Sequence, residues 1–186
     1  MDRDLVEAAR SGDGEAYADL IRVRGDRLFA LAQRVLRDVD RAEDALQEAL
    51  AIAWRDLPGL RDPDRFDAWL HRLTVNSCLD IARHRRRRPM EVEITPLDAP
   101  SASDVSSHLA DRELVDQALR GLDPGHRAVV ALHYLLGMPL PQVATSLGIP
   151  VGTAKSRLHY ALAAMRTTVT AAPDPAPAIV AGGQLA

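Results

Sequence analysis

The chain has 186 residues, a net charge of −3, a single cysteine and only 4% aromatic residues. This length allows one domain or two small ones, and one cysteine excludes both an internal disulfide and a cysteine-based metal site. The N-terminus is charged from its second residue and no apolar run approaches the roughly 20 residues of a membrane helix, so we expect no signal peptide, no membrane insertion and a cytoplasmic location.

Positive and negative charges are separated along the chain. Residues 57–88 and 126–170 each carry a net charge of +4, whereas residues 1–56 carry −4 and residues 89–125 carry −6. A single charged run is commonly a solvated surface. Two separate cationic segments are better explained by two contacts with a polyanion such as DNA. The overall negative charge does not reveal these segments, because the acidic segments offset them.

The first half of the chain predicts helices. Apolar residues recur at helical spacing over 2–11, 15–37 and 41–56, and Asp40 is a candidate N-cap with Glu43 completing a capping box. A loop with proline and glycine over 57–64 precedes a further helix over 65–86. Strand-favouring runs are nearly absent, so we expect an all-α protein.

The predicted helix over 65–86 ends in a run of arginines. Cations near a helix C-terminus favour the helix dipole by about 0.3–1 kcal/mol each, but capping does not require this many. We interpret the run as a phosphate-binding end, with solubilising charge as the alternative. Its members are Arg83, Arg85, Arg86, Arg87 and Arg88. On the same helix, Cys78 is expected to be a small apolar residue on a buried face.

The second half begins after a segment of different composition. Residues 89–107 contain prolines, serines and acidic charge without any period, which predicts a flexible linker. Helical pattern returns over 108–122, and then Asp123 is the predicted N-cap of a helix with Pro124 at its first position. Residues 171–186 predict a disordered Pro/Ala tail. The expected organisation is two helical domains, 1–88 and 108–170, on a tether that would let both bind one DNA.

Residues 139–166 predict two helices joined by a tight turn. One apolar period ends at Leu147, Gly148 and Pro150 interrupt it, and a second period follows from Val151. This pattern is typical of a helix-turn-helix whose second helix enters the major groove, with an ordinary helical hairpin as the alternative. The outward side of the second helix carries Gly152, Thr153, Lys155, Ser156, Arg157, His159 and Tyr160.

Two blocks of the sequence resemble a known family. The first is DRAEDALQEALAIAWRDL (40–57) followed by FDAWLHRLTVNSCLDIARHRRRR (66–88), and the second is LRGLDPGHRAVVALHYLLGMPLPQVATSLGIPVGTAKSRLHYALAAMR (119–166). They resemble regions 2 and 4 of bacterial RNA polymerase sigma factors of the sigma-70 family, specifically the extracytoplasmic-function (ECF) group. The resemblance implies binding to core RNA polymerase, promoter recognition and help in opening the duplex.

The resemblance also implies roles for individual residues. Asp44, Gln47 and Glu48 match the acidic and amide face that docks on the polymerase. Asn76 matches the region that captures a base flipped out of the minus-ten element, with an ordinary helix-surface asparagine as the alternative. The arginine run would hold the DNA backbone nearby. The outward residues of the second helix would read the minus-thirty-five element, with Gly152 and Thr153 offering backbone N–H groups to a phosphate.

The sequence departs from the family pattern in three places. Residues 139–142 replace the usual hydroxyl cap and acidic residues at the start of the helix-turn-helix. Tyr160 stands where many relatives carry a cation. The segment expected to separate the strands is poor in aromatic residues: Phe66 and Trp69 are the main candidates, and both also suit a core position.

The implied partners are core RNA polymerase and promoter DNA. The ECF group is typically held inactive by an anti-sigma factor, which makes such a protein a candidate third partner. A polymerase-independent helix-turn-helix regulator is the alternative function. No catalytic residue, cofactor or metal is expected, because the sequence has no His-Glu-x-x-His motif and no Gly-rich phosphate loop.

Overall fold

The computed structural model describes the backbone of residues 2–87 and 114–171. The predicted linker, Arg88, residues 108–113 of the predicted helix and the tail beyond residue 171 lie outside these ranges. The described residues form helices and no β-strand, which confirms the all-α prediction. The helices are α1 (Asp2–Arg10), α2 (Gly14–Leu36), α3 (Val39–Asp56), α4 (Phe66–Arg87), α5 (114–120), α6 (Pro124–Val130), α7 (Leu140–Leu147) and α8 (Val151–Ala171).

Helices α1 to α4 form the first half of the molecule around a core of their own. Helix α2 begins where the Asp13 carboxylate accepts hydrogen bonds from the backbone N–H groups of Glu15 and Ala16, at 2.9 and 3.1 Å. It continues through Gly25, because one glycine costs only about 1 kcal/mol relative to alanine. The core residues are Val6, Ala9, Ala16, Leu20, Leu28, Ala53, Leu57, Leu60, Phe66 and Leu70.

The start of α3 differs from the prediction. The N-cap is Asp38, whose extended backbone (φ −155°) places its carboxylate 3.1 Å from the backbone nitrogen of Arg41. Asp40 lies in the first turn, where its charge still favours the helix dipole. The predicted capping box of Asp40 and Glu43 is therefore wrong. Two aspartates flank Val39, and either has a side chain suited to capping, so residue type alone does not rank them.

Helices α5 to α8 form the second half. Asp123 caps α6 and Pro124 occupies its first position, as predicted. Helix α6 continues into a π-helical turn, Ala131–Leu135, which closes with a 3.3 Å hydrogen bond from Leu136 N to Ala131 O. Helix α7 begins directly after Pro139, because a proline in or before the first turn sacrifices no intrahelical hydrogen bond.

The turn between α7 and α8 depends on Gly148. Its backbone is left-handed (φ 62°, ψ 34°), and its N–H bonds back to the carbonyls of Ala144 and Thr145. The Ile149 N–H bonds to Ala144 O at 3.0 Å, which completes the helix end. Pro150 then precedes α8, and its carbonyl accepts from Ala154 N at 3.1 Å. The predicted helix-turn-helix is confirmed in its elements and in its turn.

The two halves pack against each other, which the sequence did not predict. One buried cluster includes Val35 from α2, Val75 from α4, and Val129 and Leu132 from α6 and its π turn. The buried Arg127 side chain donates from Nε to the carbonyl oxygen of Val35, at 2.7 Å. That carbonyl is in the last turn of α2, where carbonyls have no partner within the helix. Arg127 therefore caps α2 from the other half of the molecule.

Candidate nucleic-acid interface

One outer face of α3 carries the residues predicted to meet the polymerase. Asp44, Gln47 and Glu48 are all exposed, and their spacing of three and four residues places them side by side. The opposite face of α3 is lined by alanines without exposed surface: Ala42, Ala45, Ala49 and Ala53. These small side chains let the neighbouring helices approach the α3 backbone closely. The polar face is thus exposed on a helix whose opposite face packs closely against the rest of the first half.

The second half of α4 carries the residues predicted to meet the minus-ten element. Asn76 is half-buried, while Arg83 and Arg85 are exposed. Arg83 makes a 3.1 Å ion pair with Asp80, a surface contact of the kind that contributes at most about 1 kcal/mol. Arg86 and Arg87 continue the α4 backbone, and Arg88 lies beyond the described residues. Three predicted positions therefore have described side chains on one helix.

The aromatic candidates for strand separation are mainly core residues. Phe66 is 2% exposed, and its ring lies 6.0 Å from that of Trp69, which is half-buried. The Arg24 guanidinium lies over the Phe66 ring at 5.4 Å and also bonds to Asp67 at 2.5 Å. Phe66 is therefore buried in contact with both Arg24 and Trp69. Only Trp69 keeps a surface that a base could reach.

The predicted recognition face lies along α8. Gly152, Lys155, Ser156, His159 and Tyr160 are exposed, whereas Thr153 and Arg157 are half-buried. The opposite side packs into the second half through Ala154, Leu158 and Ala161, and Leu162 and Met165 pack against the same cluster. The Ser156 hydroxyl donates to Thr153 O at 3.0 Å. The structure thus brings the predicted groove-facing residues onto one side of one helix.

Sequence reasoning missed residues of α6 that contact this face. The ring of His126 lies 4.9 Å from that of Tyr160, and the Arg157 guanidinium lies against Gly125. Asp123 pairs with the imidazole of His126 and also accepts from the backbone of Gly125 at 2.8 Å. The i, i+3 spacing of Asp123 and His126 was visible in the sequence. Their position beside α8 was not, because it depends on packing between helices that are separated by α7.

The described part of the chain has a small cleft between α2 and α4, lined by residues that include Arg27 and His71. Its volume is about 30 Å³, which is room for one or two waters. Within residues 2–87 and 114–171, no group of three or more His, Cys, Asp or Glu side chains is arranged to hold a metal ion. Across the same residues, the helices are too short or too polar to span a membrane.

Each half of the chain matches a known protein family. Residues 12–88 match the family Sigma-70 region 2, and residues 112–165 match the family Sigma-70, region 4. The chain is 37% identical over 166 residues to the ECF RNA polymerase sigma factor SigL of Mycobacterium tuberculosis, covering 86% of this chain and 94% of SigL. It is 28% identical over 182 residues to SigW of Bacillus subtilis, covering 89% and 95%.

Solved structures show the same fold. CnrH, in its complex with the cytosolic domain of CnrY, has a TM-score of 0.63 and 29% identity, and the match covers 92% of this chain and 99% of that one. The sigma factor RpoE of Bartonella quintana, in complex with the anti-sigma factor NepR, has a TM-score of 0.63 and 23% identity over 84% of this chain and 98% of that one.

Proposed function

The chain belongs to the ECF group of RNA polymerase sigma factors, and we propose that it contacts its partners through three surfaces, one for core polymerase and two for promoter DNA. As a sigma factor it binds core RNA polymerase and directs promoter recognition at the start of transcription. The ordered match of its two halves to sigma regions 2 and 4 carries this conclusion. The rival function, a regulator that never meets the polymerase, finds no support among these relatives.

The first proposed surface is the polar face of α3, which would bind the polymerase. Its support is the arrangement of Asp44, Gln47 and Glu48, which are exposed side by side on a helix whose inner face is tightly packed. A pre-formed acidic face of this kind can meet a basic surface without reorganising its backbone, which favours fast and specific association.

The second and third proposed surfaces would hold promoter DNA. Asn76 on α4 would pair with a flipped base of the minus-ten element, and the arginines from Arg83 to Arg88 would contact its phosphates. The exposed side of α8 would read the minus-thirty-five element through Lys155 and its neighbours. Support comes from the exposure of Arg83 and Arg85 and from the alignment of the α8 residues on one side of the helix.

The proposed polymerase surface is tested by a matched pair of substitutions on α3. Glu48→Ala removes a charge from the polar face, whereas Asp56→Ala removes one from an exposed position at the C-terminal end of α3, about two turns beyond Glu48. We expect Glu48→Ala to weaken binding to core polymerase about 5- to 10-fold, the size of one interfacial charge contact. Binding to core enzyme and run-off transcription measure this. If Glu48→Ala weakens binding no more than the control does, the face formed by Asp44, Gln47 and Glu48 is not the polymerase-binding surface.

The remaining assignments follow from the same family. We propose that residues 1–88 and 108–170 are the two functional domains, joined by 89–107, and that the protein works in the cytoplasm without catalytic activity of its own. The relatives CnrH and RpoE were each solved bound to a protein partner, and NepR is named an anti-sigma factor. An anti-sigma factor is accordingly the third partner we propose for this chain.

A further inference from the structure

The start of α6 lies against two residues of the proposed recognition face. The His126 and Tyr160 rings lie 4.9 Å apart, tilted by 45°. On the same side, the Arg157 guanidinium fills the space beside Gly125, because a Cβ added there would be 3.3 Å from Arg157 Nη1. Two of the groove-facing side chains of α8 are therefore in contact with α6.

Asp123 fixes the orientation of His126. Its Oδ1 accepts from the backbone N–H groups of Gly125 and His126, at 2.8 and 3.1 Å, and its Oδ2 pairs with the imidazole Nδ1. Burial opposes ionisation of Asp123, but the hydrogen bonds from the backbone and side chain of His126 and from Gly125 hold its pKa below the usual value. The carboxylate is thus ionised at neutral pH and held by three donors.

We propose that Asp123, Gly125 and His126 are positioning residues for promoter recognition, which hold Tyr160 and Arg157 in place before DNA binds. This inference rests on the proposed assignment of α8 to the minus-thirty-five element. Tyr160 is 62% exposed, and a long exposed side chain without such support would have to be ordered on binding. Contacts made in advance remove part of that entropic cost, so affinity and base preference both increase.

The test uses the holoenzyme and a promoter identified by transcript mapping, with duplexes that carry each single base-pair change in the minus-thirty-five element. His126→Ala should lower discrimination three- to tenfold at the base pairs next to Tyr160 and leave core-polymerase binding unchanged. His126→Phe, which keeps a ring against Tyr160, should restore most of it. In a Tyr160→Ala background, His126→Ala should have no further effect, because the coupled contact is already lost.

Gly125→Ala provides a second variant. The new Cβ would approach Asp123 Oδ1 to 3.1 Å and Arg157 Nη1 to 3.3 Å, so both side chains have to shift by a few tenths of an ångström. We expect altered preference at the base pairs next to Arg157 and Tyr160, because Asp123 also holds His126. Unchanged preference at both base pairs would overturn the positioning role.

Lys155→Ala separates failure of the inference from failure of the proposed function. If Lys155→Ala and Tyr160→Ala both leave minus-thirty-five recognition unchanged, the assignment of α8 is wrong. If they reduce it while His126→Ala has the same effect with and without Tyr160, the assignment stands and the positioning role is overturned. A uniform loss across all duplexes that tracks a lower melting temperature would also overturn it, since a merely structural role predicts that result.

Discussion

Cys78 lies in the buried cluster that the two halves share. Its side chain is fully buried, and burial raises its pKa to about 12 because the thiolate cannot be solvated there. The sequence predicted this role correctly, since Cys78 follows Val75 by three residues and therefore lies on the same apolar face of α4. A residue's burial can be inferred from such local spacing.

The raised pKa of Cys78 predicts that stability falls at high pH. The unfolded thiol ionises near pH 8.5, whereas the folded thiol holds its proton to about pH 12. Above about pH 9 the unfolded state therefore binds fewer protons, and the stability present at lower pH is lost as pH rises. Compared with Cys78→Ala, the wild type should lose roughly 1–2 kcal/mol of unfolding free energy between pH 8 and pH 10. Urea unfolding at both pH values measures this, and parallel losses would contradict it.

The sequence did not predict which residues contact each other across the two halves. Arg127 was counted only as one cation of a basic segment, yet it is buried and bonds to Val35 O across the two halves. Burial lowers its pKa to about 10, aided by the nearby charge of Arg37, so it remains protonated at neutral pH. Its partner is 92 residues away, and no local pattern encodes that pairing.

At the scale of elements, the sequence predicted every α-helix that the structure describes, because each apolar period is a local signal. The α-helix boundaries that lie within the described residues agree with the prediction to within a few residues, and the helix-turn-helix and the Asp123 cap were confirmed. The misplaced cap of α3 shows where local signals compete. The π turn after α6 was not predicted, since its i→i+5 bonding depends on how Ala131–Leu135 packs rather than on residue type.

The left-handed turn between α7 and α8 gives a prediction about Gly148. Its φ of 62° strains any side chain, although nothing lies within 4 Å of an added Cβ. Gly148→Ala should therefore lower the unfolding free energy by about 1–2 kcal/mol through the backbone alone. Gly25→Ala is the matched control, because it also adds a methyl group in open space but within a regular helix.

Gly25→Ala should raise the unfolding free energy by roughly 0.5–1 kcal/mol. Chemical denaturation of both variants therefore compares two substitutions that differ mainly in backbone conformation. A loss of stability at both positions, or at neither, would show that the turn geometry described for Gly148 is not what distinguishes them.

At the scale of the whole molecule, the sequence predicted two tethered domains. The structure shows in addition that the two halves pack against each other. Besides the Arg127 contact, Arg37 and Asp116 form an ion pair across the halves at 3.8 Å. We expect the halves to part if the protein is to bind two separated promoter elements at once. The 26 residues between 87 and 114 could span at most about 90 Å when fully extended, so the covalent connection permits this.

Arg127→Leu should shift the molecule toward separated halves. The substitution leaves Val35 O without its donor, and a hydrogen bond to a charged group contributes about 1.5–3 kcal/mol, or roughly a 10- to 150-fold change in the equilibrium between packed and separated forms. Small-angle scattering and energy transfer between dyes on the two halves measure the change. Arg166→Leu, at an exposed position in α8, is the control. Identical profiles for the two variants would show that the Arg127 contact does not hold the halves together.

The buried cluster that spans both halves also determines how the protein unfolds and is cleaved by proteases. Apolar side chains of each half, such as Val35 and Val129, are covered by the other half. Opening therefore exposes both partners at once, and the two halves should melt in one cooperative event rather than separately. Proteases cleave the open form in proportion to its population. The lifetime of the free protein in the cell is then coupled to the same contact that keeps its two halves together.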